Sequence, residues 1–146
     1  MALPACKVNP ASAPKTSVAE VIGSSKKRVA EVSAILAKAK TPPTAILDAY
    51  FLEEQIGDGV LGPSDFRAFY AIKVARLNLA QWTKDLTPLG TTAEYAAPAK
   101  PRDWWIARDV FSSLQFYKPD ALTGRVNGWV GVSQQTGQIY IFTFTM

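Results

Sequence analysis

Apolar residues recur at intervals of three and four along most of this chain, and only the stretch from Val126 onward alternates. The spacing predicts a helix over about 17–40, with Val18, Val21, Ile22, Val29, Val32, Ile35 and Leu36 on one side. Ser17-Val18-Ala19-Glu20 has the form of a capping box at its start. Thr41-Pro42-Pro43-Thr44 ends that helix and opens a second over about 43–56, which would bury Ile46, Leu47, Tyr50 and Phe51.

A third helix is expected over about 64–86, and its pattern is unusual. Phe66, Phe69, Tyr70, Val74 and Leu77 form one stripe, while Ile72, Ala75, Leu79, Trp82 and Leu86 form another on the opposite side. A surface helix needs one stripe. Two imply a helix sandwiched between layers, or one that lends its second face to another chain. Prolines then mark an extended connection from Leu86 to Pro101, ahead of a fourth helix over about 102–116 that carries Trp104, Trp105, Ile106, Val110, Phe111 and Leu114.

The period changes in residues 126–146. Two runs rich in β-branched and aromatic residues flank Gln134-Gln135-Thr136-Gly137, which predicts an antiparallel hairpin with Gly137 left-handed. Tyr140, Phe142, Phe144 and Met146 share one face of its last strand, whose outer edge would be free to pair. The expected fold is therefore α+β, mainly α: about four helices packed with a C-terminal hairpin. Residues 17–146 would form one globular domain. Residues 1–16 carry three prolines and read as an irregular arm that a partner surface would have to hold in place.

Composition narrows the chemistry. The chain has 146 residues and no histidine, which removes the usual general base and the commonest metal ligand. Ser-His-Asp and Cys-His systems, ordinary zinc sites and His-ligated haem go with it. Cys6 is the only cysteine, so no intrachain disulfide forms. The net charge of +4 is spread along the chain, which permits nucleic acid as a partner without requiring it. No run of apolar residues is long enough to span a membrane. No secretory signal opens the chain as given, so a soluble or peripherally attached protein is expected, with no compartment assigned.

Few motifs carry chemistry. Gly57-x-Gly59-x-x-Gly62 matches a dinucleotide fingerprint in form, but a helical rather than a strand pattern precedes it. It reads as a link between helices that binds no nucleotide. Ser12-x-x-Lys15 and Ser24-x-x-Lys27 lack the companion boxes of serine–lysine enzymes. No catalytic residue, cofactor site or metal site is nominated.

What stands out is an interaction surface. Trp104, Trp105 and Arg108, with Arg102 beside them, join the residue types that dominate interface hot spots, and adjacent tryptophans on a helix diverge too far to share one core face; the plainer alternative is one tryptophan in the core and one at its margin, covered by Arg108. Tyr140 and Phe142 on the last strand complete the set of partner-binding candidates. The function expected is a non-enzymatic structural or interaction subunit of a larger assembly, such as a virion or a photosynthetic or secretion-type complex, with other protein chains as partners. A nucleic-acid-binding accessory protein is the alternative, and a histidine-free enzyme or small-ligand carrier comes after it.

Overall fold

Six strands pair antiparallel into one sheet, and the segments between them cover both of its faces. The computed structural model describes residues 16–56 and 65–145. In chain order the elements are β1 (Thr16–Glu20), α1 (Ser25–Ala37), β2 (Asp48–Ile56), β3 (Asp65–Lys73), a 3-10 turn (Arg76–Asn78), α2 (Leu79–Thr83), α3 (Arg108–Phe111), β4 (Gln115–Tyr117), α4 (Asp120–Thr123), β5 (Gly128–Val132) and β6 (Gln138–Phe144). The strand order is β1-β2-β3-β6-β5-β4.

The expectation of a mainly helical protein is overturned. Residues 17–40 split at Gly23, whose φ of 118° no helix accepts. Before it lies β1. After it α1 begins at Ser24, whose hydroxyl accepts from the Lys27 amide at 3.3 Å. The match Ser24-x-x-Lys27 is thus a helix cap, and Ser17 and Glu20 lie in a strand. Residues 43–56 hold β2, and residues 64–86 hold β3 followed by two short helical turns. Residues 102–116 contain only the four-residue α3, flanked by irregular chain and β4.

The two stripes explain the error. In β3, Ala68, Tyr70 and Ile72 face one apolar layer and Phe69 the other, so the run from Ala68 to Ile72 is buried throughout. A strand buried on both faces loses its alternation and resembles a helix over a short window. The helix expected between two layers is instead a strand, with an apolar layer on each of its faces.

One face of the sheet meets α1, α2 and α4. Val32 and Leu36 of α1, Leu79 and Trp82 of α2 and Leu122 of α4 pack there against Ala49, Phe51, Tyr70, Ile72, Val130, Ile139 and Ile141. The other face meets the Pro/Ala-rich segment between Leu86 and Leu114, with Trp105, Ile106 and Phe111 on Leu52, Phe69, Trp129 and Phe142. This irregular layer is held by its polar groups. The Trp105 indole donates to the Ala96 carbonyl at 2.7 Å, the Trp129 indole to Glu94 at 2.9 Å, and the Tyr95 hydroxyl to Ile106 at 2.8 Å. Glu54, 2% exposed, accepts from Arg67 at 2.7 Å and from the Ala99 amide at 2.8 Å. Backbone left without a ladder thus finds side-chain partners.

The hairpin of residues 126–146 forms, as β5 and β6. Gly137, at φ 80°, closes its turn, and a side chain there would strike the Val74 carbonyl. Yet β6 offers no free edge, because β3 pairs with it on one side and β5 on the other. The outer edge of β4 is closed too: the Leu89 amide donates to Phe116 and the Lys118 amide to Thr87. Among the described residues, β1 and β4 are the edge strands, each with a strand on one side only. The N-terminal arm up to Lys15, Cys6, Ser12-x-x-Lys15, the Gly57–Gly62 segment and Met146 lie outside the described residues.

Candidate interaction groove

Cross-strand register builds the site. Tyr50, Ala71 and Tyr140 stand in one row across β2, β3 and β6, and Asp48, Lys73 and Gln138 in the next. Both rows are on the face of the irregular layer, at the end of the sheet that this layer leaves partly uncovered. Small Ala71 makes a floor between two aromatic walls two strand spacings apart, about 10 Å. Trp104 completes the nearer wall, stacked on Tyr50 with centroids 5.3 Å apart and planes 6° from parallel. Pro101, Arg102, Asp103 and Thr136 close the rim of an open groove of about 740 Å³.

Its walls are braced from both sides. Arg28 of α1 reaches round the edge of β2, its guanidinium 4.2 Å from the Tyr50 centroid. The same side chain donates to the Ala49 carbonyl at 3.0 Å, to Asp48 at 2.8 Å and to Gly23. Burial pushes the Asp48 carboxyl up, but hydrogen bonds from Arg28, Ser25 and the Ala49 amide outweigh it and hold the group below its ordinary value. On the other side Arg102 grips Glu20 of β1 with two bonds of 2.9 Å each. The Trp104 edge meets Trp105, at 6.2 Å and 89°, which anchors the wall to the core.

Of the six residues nominated from sequence, the fold brings three together here: Trp104, Arg102 and Tyr140. The other three are elsewhere. Trp105 and Phe142 are both 8% exposed and belong to the core beneath the irregular layer. Arg108 lies over Tyr95, 4.6 Å from its centroid, outside the groove. The adjacent tryptophans do diverge, one into the core and one to its margin, although no long helix carries them.

Sequence reasoning missed Tyr50, Asp48, Ala71, Lys73, Thr136 and Gln138. A signal existed: Asp48-x-Tyr50, Ala71-x-Lys73 and Gln138-x-Tyr140 each set a polar residue two places from a small or aromatic one, at a strand end. It is legible only once those segments are known to be strands in register.

The chemistry of the groove is one of contact. Its charged residues are Asp48, Lys73, Arg102 and Asp103, which sum to zero, and Asp48 and Arg102 are already ion-paired. Lys73 and Asp103 have no ion-pair partner among the described residues. No group of three or more potential metal ligands occurs among the described residues, and no helix there is long and apolar enough to cross a membrane. No protein-family model matches the chain, and neither does any curated protein or solved structure.

Proposed function

We propose that this protein is a non-enzymatic interaction subunit of a larger assembly, and that it receives a segment of another polypeptide in the Tyr50–Trp104–Tyr140 groove. The observation that carries this reading is the stacked pair Tyr50–Trp104, left partly open to solvent yet fixed by Arg28 behind it and Trp105 beneath it. Rigid aromatic side chains in a concave surface supply contact area at little cost in ordering, which is the physical character of an interface hot spot.

The nucleic-acid alternative draws less support. Binding to phosphates needs a stripe of uncompensated cations. At the groove Arg28 and Arg102 are instead tied to carboxylates, and the four charges that line it sum to zero.

A photoreactive residue in place of Lys73, at the rim, tests the reading in the native setting. Cross-links to a defined polypeptide, lost when Trp104→Ala is added, are expected. Cross-links to nucleic acid, or protein cross-links indifferent to Trp104→Ala, would overturn it.

A further inference from the structure

An edge strand that presents a row of unpaired backbone groups is a template for a further strand. Of the two edges here, that of β4 is met by the Leu89 amide and the Thr87 carbonyl. Among the described residues, no backbone bond reaches the outer side of β1. The Val21 amide donates to the Phe51 carbonyl at 3.1 Å, so by alternation Ser17 and Ala19 turn their amides and carbonyls toward β2. Those of Thr16, Val18 and Glu20 turn outward. Two apolar side chains stand in the open beside them, Val18 at 51% and Ile22 at 66% exposure. We propose that this edge, apart from the groove, receives an extended acidic segment of another polypeptide as an antiparallel seventh strand.

Charge selects the occupant. Just past the Glu20 end of β1 the Lys27 side chain lies over Gly23, where an added Cβ would stand 2.9 Å from its Cδ. The carboxylates at this corner are already taken, Asp48 by Arg28 and Glu20 by Arg102. Lys27 and its exposed neighbour Lys26 have no ion-pair partner among the described residues, Glu31 one turn along α1 included. An antiparallel strand brings its N-terminal end to this corner, so its carboxylates belong there. The residue it sets opposite Val18 shares that side chain's face and should be apolar. A second copy of this chain fits less well. Paired antiparallel through Val18, it would set Thr16 opposite Glu20, and the carboxylate of β1 itself is held by Arg102. Five residues of edge also fall short of the roughly 800 Å² per partner that a stable dimer needs, whereas main-chain bonds carry the affinity of an added strand.

The fluorescein-labelled heptapeptide DETVTVT, titrated into the full chain and read by anisotropy, is the test. Saturable binding is expected, weakening as salt rises. On saturation the Val18 and Glu20 amides should gain protection from hydrogen exchange, while Ala19, already turned to β2, changes little. Val18→Pro should weaken binding about tenfold or more, yet keep the melting temperature near the parent's, because the lost N–H faces outward. Lys26→Glu combined with Lys27→Glu should reverse the preference toward KKTVTVT. Trp104→Ala, a change in the groove, should leave the affinity for DETVTVT as it was, so this edge and the groove stand or fall separately. No saturable binding, indifference to Val18→Pro, or equal affinity for the two peptides would overturn the proposal. Tighter binding after deletion of residues 2–14 would make the chain's own arm the occupant. Self-association of the chain that Val18→Pro abolishes would make it a second copy. Either result overturns the assignment to another polypeptide.

Discussion

Arg28 and Tyr50 meet across the edge of the sheet: the guanidinium lies 4.2 Å from the ring centroid, although α1 packs on the face opposite the one that carries Trp104. The contact is feasible because β1 pairs with β2 only from Leu52 to Ile56, which leaves the edge of β2 at Asp48–Tyr50 open to a side chain. One residue thereby links the cap region of α1, a backbone carbonyl of β2 and the aromatic wall of the groove.

Replacing Arg28 should loosen that wall. Arg28→Ala removes three hydrogen-bonded contacts and the cation over Tyr50, and is expected to cost about 1–3 kcal/mol in chemical denaturation. Arg28→Lys should recover little of this, because an ammonium lacks the planar fork that reaches Asp48 and Ala49 together. Full recovery by lysine would show that charge alone matters.

The adjacent tryptophans should behave oppositely. Trp105→Ala empties a core site and gives up an indole hydrogen bond, with an expected cost of about 3–5 kcal/mol. Trp104→Ala should cost about 1–2 kcal/mol, the scale of one aromatic pair at a partly open site, and leave the far-ultraviolet circular dichroism unchanged. Equal losses in urea titrations would refute the division of core from margin.

Glu54 should prove a keystone of the irregular layer. Its carboxylate takes Arg67 and the Ala99 amide in a nearly closed site, so Glu54→Ala leaves a guanidinium and an amide short of a partner, at an expected cost of about 3–5 kcal/mol. Hydrogen exchange at the Ala99 amide should accelerate more than at Ile139 in the sheet. Unchanged protection at Ala99 would remove Glu54 from that role.

Two groups link stability to pH, at opposite ends of the scale. The Asp48 carboxyl is held below its ordinary value of 3.8, so folding favours its charged form. That contribution is present above about pH 4 and fades as acid protonates the folded state. Asp48→Asn should flatten the acid limb of a melting-temperature profile. Burial among apolar neighbours pushes the Tyr70 hydroxyl up to about 12, so the fold favours its neutral form. Its contribution is full below pH 10 and is lost as pH climbs from there toward 12. Tyr70→Phe should flatten that alkaline limb, and a spectrophotometric titration of the parent should show one tyrosine ionising late.

Local chemistry alone determined several features. The β5–β6 hairpin followed from alternation and from Gly137, and the end of α1 before Thr41 from the prolines beyond it. The departure of Trp104 and Trp105 from a common core face followed from their size and adjacency. Ser24, the true helix cap, stood in plain sight after Gly23. The nature of β2 and β3 was decided only by tertiary pairing. Tyr50, Phe51, Phe69 and Tyr70 satisfy helix and strand spacing equally well over nine residues, and what selects the strand is a partner on each side and an apolar layer on each face. The groove shares that origin. Asp48, Lys73 and Gln138 are far apart in the chain and become one row only through the register of three strands, and Ala71 becomes a floor only because Tyr50 and Tyr140 flank it. Sequence spacing reports what a residue can do locally; long-range pairing decides what it stands beside.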